Sequence, residues 1–384
     1  MNVLSFSYCL PSSVRPTWGV FVLQRLAALA QHVRLEVASP VPVFPILSRL
    51  RGGLPAAIEE HASLAVHYPR WPYLPGILKT LDGRLYARGI RRWFERQRDR
   101  QRPDLLDAHF VWPDGVGVSH LARRAGVPYV ITLRGKLLEH MQFPSHRSQC
   151  VEAMGAAAAI ISVSGEMADV AAELGVPRDR LHVIPNGVDL DRFQPFERDW
   201  ARRELGLPAN GDLVVAVAHL RKTKGHDELV EALAALPPNV RLVIVGEDPD
   251  GGGYRRHLER LVARKGLTGR VVLAGRQSHE RIPLYLSAAD VSVLASYREG
   301  CPNVVLESLA CGTPVVATRV GAVPEILRPG ANGEIVSAQN SYSLAEGIRY
   351  ALAHDWNREQ ISRSVDSWDE VATRVLEVWK QAAL

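Results

Sequence analysis

Short apolar runs alternate with longer segments of helical spacing along most of the chain. Val3-Leu4-Ser5-Phe6-Ser7 alternates as a strand, and a proline-bearing loop from Pro11 to Trp18 ends at Gly19. Over residues 20–30 the apolar Phe21, Val22, Leu26 and Leu29 recur at the spacing of a helix, and 33–38 reads as a second strand. Further strands are predicted at 105–109, 128–133 and 156–163, the last followed by a helix that starts at Ser164-Gly165-Glu166. The second half repeats this rhythm, with strands at 213–218, 240–245, 271–274, 291–294 and 315–317 and helical stretches between them. Near-continuous apolar strands alternating with helices predict parallel sheets covered on both faces. From Trp368 an amphipathic helix runs to the end of the chain.

Two stretches depart from this rhythm. Residues 40–80 carry Pro40, Pro42, Pro45, Pro55, Pro69, Trp71, Pro72, Tyr73 and Pro75, which excludes a continuous helix or a central strand. The expectation is a long surface excursion of the kind that often binds something. Residues 84–102 then place arginine at 84, 88, 91, 92, 96, 98, 100 and 102 with Leu85, Ile90, Trp93 and Phe94 interleaved, an amphipathic helix by its period. Two readings stand: a helix resting on anionic lipid through arginine, Trp93 and Phe94, or a solvated arginine face with Trp93 packed inward.

Composition narrows the class. A chain of 384 residues, 47% hydrophobic and 23% charged, suits a soluble protein of two domains. The net charge of +5 suits an anionic substrate or surface and is too small to argue for nucleic acid. The four cysteines (Cys9, Cys150, Cys301 and Cys311) form no C-x-x-C pair or metal spacing and read as reduced thiols of a cytosolic protein. Residues 1–10 lack the charged start and cleavage site of a signal peptide, and no apolar run is long enough to span a bilayer. A cytoplasmic protein is expected, either free or peripheral on the inner face of the cell membrane.

The densest chemistry lies at 298–312. The strand 290–294 leads to a loop holding Glu299, Gly300 and Cys301; Pro302 suits the first turn of a helix and Gly312 its left-handed close. This βαβ unit has Glu299 in the loop and Glu307 inside the helix. Ligands of open α/β sheets lie at the carboxyl ends of the strands, and a helix start there offers N–H groups to a phosphate. Carboxylates beside an anion site must bind something other than the anion, and sugar hydroxyls fit. Gly19, at the start of the first predicted helix, serves either a phosphate or a tight turn. His219, Arg221, Lys222 and Lys224 cluster at another strand end beside Gly225 and favour an anion. Asp189-Leu190-Asp191 and Asp248-Pro249-Asp250 spell D-x-D, but each offers fewer oxygens than a divalent ion wants, so no metal and no cofactor are expected.

Glu299 and Glu307, embedded in Arg298-Glu299-Gly300-Cys301-Pro302-Asn303-Val304-Val305-Leu306-Glu307, resemble the retaining glycosyltransferases of family four. The resemblance continues through Ala310 to Ala317 and Gly321 to Ile326, and Val183-Ile184-Pro185-Asn186-Gly187-Val188-Asp189 is similar to the family's junction between domains. It implies the GT-B arrangement: two Rossmann-like domains facing across a cleft, 1–193 binding the acceptor and 194–365 the donor, with 366–384 crossing back to the first. It also implies donor contacts from Gly19, His219, Arg221, Lys224, Gly246, Glu299, Cys301, Asn303, Val304 and Glu307, with Glu307 on the ribose and Lys224 on the diphosphate. Arg134 stands where the family commonly has a histidine, and His219 where it has an arginine. His109 matches a recurring family histidine, although a strand-end histidine also serves structure alone. Glu299, Lys224, Arg134 and His109 are thus the candidate catalytic residues. The implied reaction is retaining transfer from a nucleotide sugar to a glycan or lipid-linked acceptor, without a metal. A sugar-nucleotide epimerase or hydrolase of the same fold and a non-catalytic membrane-attached scaffold are the alternatives.

Overall fold

The computed structural model describes residues 1–44, 53–74, 76, 79–249 and 251–384. Two compact units emerge: Met1–Asn186 with Trp368–Leu384, and Gly187–Ser367. The chain passes between them just ahead of Phe193, which is buried in the core of the second unit.

In the first unit the strands are β1 (Asn2–Phe6), β2 (Arg34–Ala38), β3 (Val41–Val43), β4 (Ile58–His61), β5 (Leu64–His67), β6 (Arg70–Pro72), β7 (Leu105–His109), β8 (Tyr129–Leu133), β9 (Ala159–Ser162) and β10 (Leu181–Val183). Eight form one sheet in the order β10-β9-β8-β7-β1-β2-β5-β4, parallel except where β4 turns back on β5, and β3 pairs with β6 apart from it. Alternation along β1 explains its two faces. Val3 joins Val22, Leu26 and Leu29 of helix α1 (Val20–Ala30) and Val371, Val375 and Trp379 of the last helix, Trp368–Ala382, in one core. Phe6 instead meets Trp93 of helix α2 (Asp82–Gln101) edge to face at 5.6 Å. Each large side chain so buried stabilises by about 1.5–3 kcal/mol.

The surface excursion expected at 40–80 is corrected in part. Its described residues supply β3 to β6, and Leu64 and Val66 of β5 are buried because β5 extends the main sheet beside β2. Pro45 and Pro75 of that segment lie outside the described residues. In α2, Trp93 and Phe94 are buried while Arg84, Arg88, Arg92, Arg96 and Arg100 are exposed, so its outer face offers charge without aromatic rings. Among the described residues no helix is long and apolar enough to cross a membrane.

The second unit has β11 (Leu213–Val217), β12 (Arg241–Val245), β13 (Val271–Gly275), β14 (Val291–Leu294), β15 (Val315–Thr318) and β16 (Gly333–Val336), all parallel in the order β13-β12-β11-β14-β15-β16. Helices cover both faces, giving one apolar core on each side. Strand β16 was not anticipated, because Gly333-Glu334-Ile335-Val336 is too short and mixed to stand out. It exists by pairing with β15, where a side chain at Gly333 would strike the Val315 carbonyl.

Candidate active site

In each of the two large sheets the order of the parallel strands reverses at one point, and there the loops leaving neighbouring strands part to opposite sides and open a crevice. The reversal lies between β1 and β7 in the first unit and between β11 and β14 in the second. The residues singled out from the sequence gather at these two places.

In the second unit, the loop after β11 carries His219, Arg221 and Lys224, and the loop after β14 carries Glu299. The loops are fastened together where the Tyr297 amide donates to the Thr223 carbonyl at 2.9 Å. Lys224 Nζ donates to Glu299 Oε1 at 2.6 Å, and both side chains are partly exposed. His219 and Arg221 are exposed beside them. The His219 carbonyl accepts from Nε2 of the buried His226 at 3.0 Å, which fixes that tautomer, and burial lowers the pKa of His226 so that it stays neutral. Gly246, after β12, packs so close to the Ala218 carbonyl that a Cβ would lie 1.9 Å from it. Its glycine thus serves close packing of these loops.

Helix α3 (Asn303–Ala310) begins just after Glu299. Pro302 sits at its cap, one place earlier than expected, and its carbonyl accepts from the Val305 amide at 3.0 Å. Cys301, Asn303 and Val304 are half-buried at this start, where helix N–H groups lack intrahelical partners and the dipole favours an anion. Glu307 lies one turn further on the same face as Asn303. Burial pushes its carboxyl up to about 7, with Arg192 opposing that shift.

A testable consequence follows from the sign of this shift. Because the folded pKa exceeds the ordinary 4.5, the folded protein binds more protons than the unfolded chain between those values. Glu307 therefore costs stability as pH rises through that window. Glu307→Gln should melt above the wild type at about pH 8 and lose that advantage at about pH 4. An advantage that does not grow with pH would contradict the shift.

In each D-x-D pair one acid accepts from a nearby backbone amide. Asp189 Oδ1 accepts from the Arg192 amide at 3.1 Å and Asp248 Oδ2 from the Arg255 amide at 2.8 Å, while Asp250 lies outside the described residues.

In the first unit, Gly19 caps α1 with a φ of +71°, and a Cβ there would lie 2.1 Å from the Cys9 carbonyl. The turn reading of this glycine has a full steric cause. His109, 1% exposed, places Nε2 2.9 Å from Asp107 Oδ2, and Asp107 also accepts from Ser5 Oγ at 2.6 Å. Burial lowers the pKa of His109 despite Asp107, leaving Nδ1 of the neutral ring as an acceptor, 3.4 Å from Arg134 Nη2. Arg134, 4% exposed, also donates from Nη1 to Asn186 Oδ1 at 3.0 Å, with its guanidinium 5.0 Å from the Phe21 ring centroid. His109 is thus a support for Arg134 and has almost no surface of its own to offer a substrate.

Sequence reasoning missed Asp107, Tyr297 and Arg192, whose signals are contacts between distant segments, and His226, which bonds the His219 carbonyl seven residues before it. Asn186 was visible only as turn chemistry.

The profile of the group described as "Glycosyl transferases group 1" matches residues 197–368, and that of "Glycosyltransferase Family 4" matches 51–192. A putative teichuronic acid biosynthesis glycosyltransferase, TuaC of Bacillus subtilis, is 30% identical over 94% of this chain and 91% of its own. A D-inositol 3-phosphate glycosyltransferase of Xylanimonas cellulosilytica is 29% identical over 95% and 91%. Among solved structures, sucrose-phosphate synthase of Thermosynechococcus elongatus superposes with a TM-score of 0.78 at 22% identity, covering 99% of each chain. Anabaena HepE in complex with UDP gives 0.75 at 23%, covering 99% of this chain and 100% of that one.

Proposed function

The chain belongs to the family-four glycosyltransferases, of GT-B fold, and from that premise we propose that it moves a sugar from a nucleotide diphosphate donor to a glycan or lipid-linked acceptor with retention of anomeric configuration. The observation that carries this reading is the meeting of Lys224 and Glu299 at the strand-order reversal, beside the start of α3. The ribose hydroxyls donate to Glu307, and the diphosphate lies against Lys224 and the first N–H groups of α3. As the diphosphate arrives, Lys224 exchanges Glu299 for phosphate oxygen, and Glu299 is released to accept from the donor sugar's hydroxyls. The HepE structures with UDP and with UDP-glucose support a nucleotide-sugar donor.

Charge develops on the leaving diphosphate as the glycosidic bond breaks, and fixed cations and helix amides stabilise it without reorganising. In retention by front-face attack, the departing phosphate oxygen takes the proton of the acceptor hydroxyl, so no side-chain base is required. That suits Arg134 in the place of a histidine, since a guanidinium holds an anionic group and does not act as a base. His109, Asp107 and Asn186 act through it as positioning residues, and no step calls for a metal.

Proton NMR of the product tests the stereochemistry. The anomeric coupling constant should match that of the donor, and an inverted product would overturn retention. In the same tube an epimerase would convert donor without acceptor, whereas a transferase waits for one. Attachment to anionic membrane through the arginine face of α2 completes the proposal. Resting on charge alone, vesicle binding should fade between about 0.1 M and about 1 M salt as screening shortens to a few ångströms. Salt-resistant binding would require an apolar anchor.

A further inference from the structure

Helix α1 carries an arginine on the face it turns to the sheet. Val22, Leu26 and Leu29 mark that face, and Arg25, three residues after Val22 and four before Leu29, shares it. Arg25 is 1% exposed. A guanidinium stays charged at any ordinary pH, so burying one is costly unless an opposite charge meets it. The same helix reaches the candidate site a second time through Phe21, one turn earlier, over whose ring the Arg134 guanidinium lies at 5.0 Å. A helix whose start is locked by Gly19 against the Cys9 carbonyl thus presents two side chains to one polar cluster.

The sheet supplies the opposite charge at the matching place. Val3 and Leu105 are register partners on the face that α1 covers, and two residues on, Ser5 and Asp107 are partners on the same face. Asp107 is likewise 1% exposed. Burial raises its carboxyl, but His109, the Ser5 hydroxyl and the positive charge of Arg25 together hold it below the usual carboxylate range. Of these three groups Arg25 alone carries a full charge at neutral pH, because burial keeps the His109 ring neutral. Arg25 is therefore the fixed charge that keeps Asp107 ionised. An ionised Asp107 accepts the Nε2 proton of His109, which leaves Nδ1 bare for Arg134.

We propose that Arg25 is a positioning residue for the transfer: through Asp107 it holds His109 in the tautomer whose Nδ1 faces Arg134, and so fixes the guanidinium that the reaction uses. The role in transfer rests on the reading of Arg134 given above, but the hold on His109 does not. The charged groups around the His109 ring are Asp107 from its own strand, Arg134 from the end of β8 and Arg25 from α1, while the last helix turns apolar side chains to this core. Further out, burial pushes Asp114 up to about 8 and Cys9 up to about 12, so both are neutral at pH 7 and below.

NMR of the histidine ring nitrogens in the whole chain tests it, with the His109 signals assigned by their loss in His109→Gln. The wild type at pH 7 must show Nε2 protonated and Nδ1 bare; the reverse tautomer would overturn the proposal whatever the variants do. Arg25→Met removes a positive charge from beside the ring, so His109 should gain its second proton at a higher pH than in the wild type. That proton sits on Nδ1, against Arg134. The acid limb of kcat should move to higher pH in parallel, and kcat at pH 7 should fall by up to about 10²-fold, the scale of misplacing a reacting group by an ångström. Nucleotide binding, which belongs to the second unit, should stay as in the wild type. Arg25→Lys keeps the charge and should restore the titration and part of kcat. His109 titrating alike in the wild type and Arg25→Met, as a merely structural arginine would leave it, would overturn the proposal and leave the transferase reading standing. A moved titration with an unmoved acid limb would overturn it too. A moved titration in a protein that transfers sugar from no nucleotide donor would remove the transferase reading and leave the hold of Arg25 on His109.

Discussion

Lys224→Ala is expected to lower kcat by roughly 10²–10³-fold, the scale of removing one preorganised donor from a developing oxyanion. Two effects add in this variant. On the proposed reading the leaving diphosphate loses a fixed cation, and Glu299 loses the ammonium from which its Oε1 accepts at 2.6 Å. The Michaelis constant should rise as well, because a charge that binds diphosphate in the product also binds it in the donor. Lys224→Arg should recover part of the loss, since it restores the charge in a different shape. Glu299→Gln in the Lys224→Ala background should cost less than it does alone, because the two groups share one interaction. Steady-state kinetics at saturating donor decides it: a Lys224→Ala enzyme with more than about a tenth of the wild-type kcat would remove Lys224 from the transition state.

The second large effect is on the fold. Gly225 ends the turn that carries Lys224, with a φ of +68°, and a Cβ there would lie 2.0 Å from the Ala295 carbonyl. Gly225→Ala must both strain the backbone and drive the loop after β11 away from the strand end that leads to Glu299. A cost of about 3 kcal/mol or more is expected, which lowers the melting temperature of a unit this size by roughly 6–12 °C. The Lys224–Glu299 pair should loosen with it, so activity falls even where the protein stays folded. Gly253→Ala is the control. It opens the helix Gly253–Arg264, has no atom within 4 Å of the added carbon, and should change stability by no more than about 1 kcal/mol. Equal melting of the two variants would contradict the packing described for Gly225.

Much of this architecture is legible in the residues themselves. Strands such as 291–294 are mostly apolar and buried on both faces, and the prolines and glycines that bound such strands are strong punctuation. Such local signals sufficed for most strands of the second sheet and for the helices starting at Val20 and Trp368. They failed at β4, β5 and β16, short strands that exist because a neighbour is already in place. The candidate site divides in the same way. Glu299, Glu307 and Lys224 stand out because charges at the ends of apolar strands need an explanation. The pairing of Lys224 with Glu299 does not, since it joins residues far apart in the chain through the folded sheet order. His109 marks the limit from the other side: its residue type and strand-end position suggest chemistry, and only burial reveals a ring turned to Asp107 and Arg134.

The central claim is a nucleotide sugar held at the reversal of the second sheet. Its most direct test is thermal stabilisation by UDP, GDP and ADP and their sugar conjugates, run on the wild type and on Glu307→Ala. A ligand at about 100 times its dissociation constant adds roughly 2.7 kcal/mol, an easily measured rise in melting temperature. The account predicts that one nucleotide raises the melting temperature of the wild type and leaves that of Glu307→Ala nearly unchanged. Stabilisation by none of them, or equal stabilisation of both proteins, would contradict it.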